Sequence, residues 1–308
     1  MNKHADLPLQ ALACLDAVVS EGGFQAAALK LHRTHSAVFA AVRQLESRAG
    51  VALLDRSAYR VALTEAGRAF HERARMVLGE AAMLGELVEQ LRRGEETDLR
   101  VVIGDLTPTA PVLRMLKRFF AGFPQTRLHL HFETLGGPQE RLFADEADLI
   151  VHHVDPADPR LERSKVLSVT LVPVVAPGFL PFPLTRSLTP AAMKGLVQCI
   201  LRDTATQPGA SYHVVAGARS WTVADQQTKK ALILNGMGWG HMPLHLIEPE
   251  LRRGRLLSLE GRHFKRTHLD IVTARRRDRP AGPVATQLWE QLASHPPEID
   301  GTTRASRS

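Results

Sequence analysis

The first 93 residues show helical periodicity almost throughout, in the order helix, short helix, tight turn, helix. Residues 9–19 carry apolar side chains at the three-and-four spacing of an amphipathic helix, and two glycines end it. A short alanine-rich helix over 24–31 and a break follow. The next helix begins after Thr34, a good N-cap residue, and ends at Gly50. Few folds accommodate this order, and it predicts a helix-turn-helix.

The segment after this motif predicts a wing and then a long helix. Residues 51–64 have extended character with a polar tip, which is typical of two short strands, and Glu46 is expected to bond this wing or a helix end. Thr64 caps a helix over 65–93, whose apolar residues repeat at steps of about three and four: Ala66, Phe70, Val77, Ala81, Leu84, Val88 and Leu91. This pattern predicts pairing with a second copy; packing on the helix's own domain is the alternative.

A polar linker at 94–98 separates this helical region from a second region of a different type. Beyond it, apolar strands alternate with amphipathic helices, which predicts an α/β domain with a parallel sheet. The predicted strands are 99–104, 126–132, 147–153, 171–176, 197–201 and 269–274, and the predicted helices are 110–123, 138–144, one within 220–243 before a glycine-rich turn, and 283–295. The polar tail 296–308 is expected to be disordered.

Charge and cysteine content narrow the possible partners. The net charge is +7, and between residues 30 and 60 only two acids oppose six basic residues: Lys30, Arg33, Arg43, Arg48, Arg56 and Arg60. This concentration favours a polyanionic partner. The two cysteines imply no disulfide framework; we expect buried thiols, with a redox pair as the less favoured alternative. No apolar run is long enough to span a membrane and no signal peptide is visible, so we expect a cytoplasmic protein.

Several segments together resemble the LysR-type transcriptional regulators. In order and with matching spacing, the segments over residues 9–70 are LQALACLDAVV, GGFQAAALKLHRTHSAVFAAVRQLE, AGVALLDR and VALTEAGRAF. The resemblance extends over 7–293 through ADLIVHH, LVPVVAP, LILNGMGWGHMP and LRRGRLLSL. It implies a homodimer or homotetramer that binds double-stranded promoter DNA, responds to a small-molecule effector and contacts RNA polymerase. It also implies a sensing domain like a periplasmic binding protein, with two α/β subdomains joined by two crossing strands.

This resemblance sets the expected domain boundaries. We place a winged helix-turn-helix domain at 1–64, a linker and dimerisation helix at 65–93, effector-binding subdomain I at 97–164 and 268–293, and subdomain II at 165–267. A ligand that favours one closure of the two subdomains would change the spacing of the DNA-binding domains by a population shift.

The expected DNA contacts lie on the second helix of the motif, just before it, and on the wing: Arg33, Thr34, His35, Ser36, Phe39, Arg43, Arg56 and Arg60. The first turn of such a helix reaches phosphates and base edges. Phe39 and Ala40 stand where many family members carry a serine and a basic residue, so Phe39 is expected to contact a thymine methyl. The alternatives are a capping role alone for Thr34 and solvated surface charges for the arginines.

The expected effector site lies at the carboxyl ends of the strands, where open α/β sheets bind ligands. Its residues are Thr107, Thr109, Gly136, Gly137, His153, Arg202, Asp203 and Thr204. Arg202 is the candidate for holding a carboxylate, because a guanidinium matches it bidentately. The expected effector is therefore a small organic or aromatic acid. For each residue, helix capping or an internal salt bridge is an equal alternative.

Other functions find little support in the sequence. The fourteen histidines have no cysteine partners or zinc-type spacing, so no metal or other cofactor is expected. A DNA-tethered enzyme lacks a nucleophile elbow, a P-loop and paired catalytic carboxylates. An architectural DNA binder would not need an α/β region of this length. A ligand-responsive, DNA-binding regulator is the leading hypothesis.

Overall fold

The computed structural model describes residues 7–55, 61–207 and 213–294. The chain divides into two compact units, one up to Arg92 and the other from Arg93 onward. The tip of the predicted wing and the predicted disordered tail lie outside the described residues. In the described part of the chain, no single helix is both long enough and apolar enough to span a membrane. The first two helices, bent by 120°, pass that test together on length and composition alone.

The first unit is helical apart from one short hairpin. Its elements are α1 (Leu9–Ser20), α2 (Phe24–Lys30), α3 (His35–Ala49), β1 (Leu54–Asp55), β2 (Ala62–Leu63) and α4 (Glu65–Arg92). Thr34 caps α3 by accepting a hydrogen bond from the Ala37 amide at 3.2 Å, and Gly50 ends it in the left-handed conformation. The two short strands pair antiparallel, with Leu54 opposite Leu63. The predicted helix-turn-helix and hairpin are therefore both present.

The core of this unit joins the three helices of the motif to the beginning of α4. Leu15, Val18, Val38, Val42 and Leu45 are fully buried in it. Glu46 ties α3 to the hairpin, because its Oε1 accepts hydrogen bonds from the amides of Leu53 at 2.9 Å and Leu54 at 3.1 Å. The predicted structural role of Glu46 is thus confirmed.

The start of α4 fits closely against the segment that leads into β1. The Thr64 hydroxyl donates to the Ala52 carbonyl and accepts from the Gly67 amide, both at 2.8 Å. A Cβ added to Gly67 would lie 2.0 Å from the Leu53 carbonyl oxygen. Only a residue without a side chain allows this approach.

The second unit is a mixed α/β structure. Its elements are β3 (Asp98–Gly104), α5 (Thr109–Phe120), β4 (Arg127–Glu133), α6 (Gly137–Phe143), β5 (Leu149–His152), β6 (Leu161–Val175), α7 (Pro190–Met193), β7 (Gln198–Leu201), β8 (Ser220–Val223), α8 (Gln226–Leu234), β9 (Trp239–Pro243), α9 (Leu244–Arg252), β10 (Leu257–Ser258), β11 (Thr267–Arg276) and α10 (Pro283–Ser294).

One sheet runs through this unit in the order β4-β3-β5-β11-β6-β9-β7-β8, with β10 added to β6. Strand β3 pairs parallel with β4 and β5, and β7 pairs parallel with β8 and β9. The long strands β6 and β11 pair antiparallel between these two parallel groups, with a register shift between Ile271 and Val272. We call the part with β3, β4 and β5 the first half and the part with β7, β8 and β9 the second half.

Each half has its own apolar layers. In the first half, α5 and α10 cover one face of the sheet and α6 covers the other. In the second half, α8 and α9 pack on the core around Val172, Met242 and Ile247. Both halves are therefore closed structures that share the β6–β11 ladder.

Two local predictions for this unit differ from the structure: one was wrong and the other gave a strand that is too short. The segment 220–243, expected to hold one helix and a turn, contains strand β8, helix α8 and strand β9. The predicted strand 171–176 is only the end of β6, which begins at Leu161. Apolar and polar side chains alternate only weakly in most of these strand segments. Pairing with neighbouring strands stabilises them as strands.

Candidate functional site

The surface at the beginning of α3 is the first candidate site. Arg33, Thr34, His35 and Ser36 are all exposed there. The Thr34 and Ser36 hydroxyls lie 3.1 Å apart, beside the first turn of the helix. Unsatisfied amides and the positive end of the helix dipole make such a turn a good place for a phosphate.

An aromatic group extends this surface along α3. The rings of His35 and Phe39 stack with centroids 6.2 Å apart, and Phe24 lies 5.9 Å from His35 and 5.3 Å from Phe39. Phe39 is half-buried, so one part of its ring supports the helix contact while another part faces outward. This leaves an apolar area next to the exposed hydroxyls.

The arginines predicted to bind DNA differ in their surroundings. Arg43 is exposed and makes no hydrogen bond or ion pair with any described residue. Arg33 instead lies beside the buried Cys14 thiol. Burial raises the pKa of this thiol, and the nearby guanidinium partly offsets the increase. Arg56 and Arg60 lie outside the described residues. Arg43 is thus the described arginine of this set whose charge is open to an external partner.

Helix α4 has two different parts. Near its beginning, Phe70, Ala74 and Leu78 pack into the core of the first unit, and His71 Nε2 lies 2.8 Å from Asp16 Oδ1. Beyond this part, an apolar stripe is exposed: Met76, Val77, Met83, Leu84, Val88 and Leu91. The beginning of α4 therefore packs on its own unit, whereas pairing with a second copy stays a prediction for the exposed stripe.

The second candidate site is a cavity of about 790 Å³ in the second unit. It lies between the halves, because residues at the start of α5, on β6 and at the starts of α8 and α9 line it. Its walls combine apolar residues such as Phe132 and Leu246 with hydroxyls such as Thr109 and Ser168. Its size and mixed lining suit a small organic molecule.

The predicted effector residues fall into separate places. Thr107 and Thr109 line the cavity; the Thr107 hydroxyl already donates to the Val151 carbonyl at 3.1 Å, whereas Thr109 is exposed. His153 lies beside β11, and its Nδ1 is 3.1 Å from the Asp270 carbonyl oxygen. Arg202 is exposed and does not line the cavity. The predicted set therefore does not form one continuous site around this cavity.

Four of the predicted residues meet each other across the halves. The Gly136 amide donates to Asp203 Oδ1 at 2.9 Å, and a Cβ on Gly137 would lie 2.0 Å from Thr204 Oγ1. The close approach expected at these glycines is thus made by the chain itself. We call these contacts the clasp, together with those of Thr134 with Thr204, Glu140 with Thr206 and Asp105 with Gln226.

A group of polar residues that the sequence analysis did not single out lies at the junction of the halves. Asp105, after β3, accepts hydrogen bonds from Gln226 Nε2 at 2.8 Å and from the Leu135 amide at 3.3 Å. Burial raises the pKa of Asp105. One turn along α8 from Gln226, Lys229 is only 8% exposed, and burial lowers its pKa to about 8. Gln226, Lys229 and Ile233 follow one another in the sequence at helical steps of three and four. This spacing was the signal that could have placed Lys229 on the buried face of α8.

The thiols and the histidines are the remaining side chains with the chemistry of redox or metal sites. Cys14 and Cys199 are buried and free, and they lie in different units. Among the described residues, no group of three or more histidine, cysteine or acidic side chains is arranged to hold a metal ion.

Comparison with known proteins covers both units. Residues 9–68 match the family model described as bacterial regulatory helix-turn-helix protein, lysR family, and residues 92–297 match the LysR substrate binding domain. The chain is 31% identical to the probable HTH-type transcriptional regulator YhaJ of Escherichia coli K12, over 90% of this chain and 93% of that protein. It is 32% identical to the uncharacterized HTH-type transcriptional regulator YeeY of the same strain, over 81% and 82%.

A solved structure has the same fold. The crystal structure of CbnR, a LysR family transcriptional regulator, matches 92% of this chain and 99% of that chain at 21% identity, with a TM-score of 0.50.

Proposed function

This chain belongs to the LysR family of bacterial helix-turn-helix regulators, and we propose from that premise that it regulates transcription from promoters to which its first unit binds, in response to a small acid sensed by its second unit. It is a transcriptional regulator and not an enzyme. The observation that carries the DNA-binding part is the open surface of α3, where hydroxyls, a helix N-terminus and Arg43 are exposed together.

We propose that α3 enters the major groove with its first turn against the DNA backbone. Thr34, His35 and Ser36 then contact phosphates, and the outward part of Phe39 contacts a thymine methyl. Arg33 supports the turn from beside Cys14 and adds positive charge. Arg56 and Arg60 are proposed to contact the backbone from the wing and to increase the salt dependence of binding.

Arg43→Ala is expected to weaken promoter binding by about 1–3 kcal/mol if the guanidinium binds a guanine edge. The measurement is fluorescence anisotropy on a duplex selected from a random pool with the wild-type chain, repeated at several salt concentrations. Arg75→Ala is the matched control, because Arg75 is an exposed arginine on α4 away from α3. Unchanged affinity of Arg43→Ala, or an equal loss in both variants, would contradict the proposed role.

We propose that the exposed stripe on α4 pairs with the same stripe of a second copy, giving a homodimer or a homotetramer. Six large apolar side chains along one helix cost free energy in water, and their burial at about 25 cal/mol per Å² favours association. Two copies then place two α3 helices for two half-sites of a promoter.

Leu84→Asp is expected to shift the oligomer toward monomers, because Leu84 is 62% exposed in the middle of the stripe and a carboxylate there would be buried on pairing. Sedimentation velocity at several concentrations measures the change. Ala82→Asp provides the control, since Ala82 is exposed on the opposite side of the helix. If both variants sediment like the wild type, α4 does not form the interface.

The sensing mechanism we propose is a shift between closures of the two halves. The clasp stabilises one closure, and among the described strands the β6–β11 ladder is the continuous connection between the two halves. A ligand that binds one closure more tightly changes the population of the other. Thr107 and Thr109 are proposed to contact it directly, and Gly136, Gly137, Asp203 and Thr204 to act through the clasp; His153 and Arg202 are proposed to lie at the margin of the site.

The remaining proposals concern organisation and context. We propose the domains 1–64, 65–93, 97–164 with 268–293, and 165–267, and a chain that acts in the cytoplasm. A small organic or aromatic acid is the proposed effector, and RNA polymerase is the proposed further partner. A pull-down of polymerase on promoter-bearing DNA, with and without the regulator, would test the last point.

A further inference from the structure

Lys229 lies buried without a partner for its charge. It sits one turn into α8, is 8% exposed, and its ammonium makes no hydrogen bond and no ion pair within 4.0 Å to any residue that the structure describes. Its neighbour Lys230, by contrast, donates to the Leu246 carbonyl at 2.6 Å and pairs with Glu250 at 3.0 Å. The two adjacent lysines therefore have opposite surroundings.

The nearest source of negative charge does not satisfy this ammonium. Asp105 attracts it across the halves, but the Asp105 carboxylate is already bonded to Gln226 and to the Leu135 amide. A buried charge without a partner destabilises a fold by several kcal/mol in general, so it is rarely present for structural reasons alone. None of the residues that the structure describes places an anion against this ammonium.

The other polar groups near Lys229 are neutral. His213 and His241 stack with ring centroids 4.5 Å apart, and Lys229 lies close enough to lower the pKa of both. The pKa of His241 falls to about 3, mainly because of burial, and its Nδ1 is buried with no hydrogen-bond partner in the described part of the chain. Cys199 is buried, and desolvation raises the pKa of its thiol. None of these three groups brings a negative charge at neutral pH.

The backbone leaves room for the lysine to reach this place. Gly240, in β9, lies beside the Lys229 stem, and a Cβ there would approach Lys229 Cε to 3.1 Å and the Cys199 carbonyl oxygen to 2.8 Å. A side chain at Gly240 would displace the stem. The lysine is thus held against β7 and β9 with its charged end toward Asp105 of the first half.

We propose that Lys229 binds the carboxylate of the effector, with the unpartnered Nδ1 of His241 as a second polar contact. This inference rests on the proposed sensing function and names the group that holds the acid. It replaces the exposed Arg202, which the sequence suggested for that role, with a buried cation. A carboxylate arriving here neutralises Lys229 and adds a contact to the second half beside Asp105, so it acts on the junction where the halves meet.

The test uses the full chain with sodium benzoate and sodium acetate as probes, each compared with sodium chloride at equal ionic strength. At tens of millimolar, at least one of the two carboxylates is expected to raise the melting temperature of the second unit by about 2–4 °C, because binding to the native state alone stabilises it. Lys229→Met is expected to abolish this shift. Lys265→Met, which removes an exposed lysine of the same unit, is expected to keep it.

Two further variants keep the test decisive. Lys229→Gln repeats the loss of charge with a polar side chain, in case the methionine packs badly beside Gly240. Arg202→Met compares the residue that the sequence suggested. Equal shifts in the wild type and in both Lys229 variants, no shift with either probe in the wild type, or a loss confined to Arg202→Met would each overturn the proposal.

The pH dependence supplies an independent readout. Lys229 loses its proton near pH 8. In this range His213 and His241 are already neutral, burial raises the pKa of Asp105, and burial also raises the pKa of Cys199 above its usual value of 9.0. The shift caused by the probe is therefore expected to fade between about pH 7 and 9. DNA binding by the same variants is measured in parallel, so that failure of the regulatory function and failure of the anion site are seen separately.

Discussion

Gly67→Ala is expected to destabilise the first unit by about 3 kcal/mol, the upper end of the usual range for an added methyl group, because the methyl has no space and the obstacle is backbone. The Cβ would lie 2.0 Å from the Leu53 carbonyl oxygen and 3.1 Å from Thr64 Oγ1. To make room, α4 must move away from the segment before β1, which breaks the bonds of Thr64 to Ala52 and to residue 67. Leu53 and the β1–β2 hairpin would then no longer pack against the start of α4.

Urea unfolding followed by circular dichroism measures this effect, with promoter binding as the second readout. The matched control is Gly79→Ala on the same helix, where an added Cβ meets nothing within 4 Å. Since alanine is a better helix former than glycine, the control is expected to gain about 0.5–1 kcal/mol. Similar unfolding midpoints for the two variants would show that the close fit at Gly67 is not needed.

Acid is expected to unfold the second unit well before most of its carboxylates titrate. Burial lowers the pKa of His152 and His245 to about 4 and that of His241 to about 3. The unfolded chain protonates these imidazoles below about pH 6.5, whereas the folded chain keeps them neutral. The free energy of unfolding is therefore full above about pH 6.5 and falls as the pH drops toward 4.

His152 shows the size of this effect most clearly, because it is 5% exposed and its Nδ1 has no hydrogen-bond partner among the described residues. A lowering from 6.5 to about 4 corresponds to about 3 kcal/mol, at 1.36 kcal/mol per pKa unit. Melting temperatures between pH 7 and 4 measure it. His152→Leu should give a shallower decline than the wild type, and equal slopes would contradict the assignment.

The first unit could be predicted from the sequence in considerable detail, because its signals are local. Thr34 caps its own helix, Gly50 ends it, and the apolar spacing of α1 and α3 matches the observed core. Even Glu46, an acid in a basic region, was expected to bond the hairpin or a helix end, and it does. What the periodicity did not reveal is that only the beginning of α4 packs on its own unit, while the later apolar residues are exposed.

The second unit was predictable in class but not in detail. Strand β8 has residues that favour strands but is only four residues long and almost entirely exposed, and β9 contains glycine and proline. Pairing of β8 with β7 and of β9 with β6 stabilises these two short strands. The candidate site could not be predicted either, because it also depends on contacts between distant parts of the chain. Lys229 looks like the solvated side chain of an amphipathic helix until β7, β9 and Asp105 surround it, and these come from distant parts of the chain.

The position of α10 has a consequence for how this chain emerges during synthesis. Val284, Leu288 and Leu292 complete the core that begins at Leu99 in β3. The first unit has all of its core residues once Leu78 has left the ribosome, so it can fold while translation continues. The half that contains β3, β4 and β5 must wait, with apolar strands uncovered, until the last helix is made. A nascent chain stalled before residue 283 is thus expected to carry a folded N-terminal unit and an open sheet that chaperones would bind.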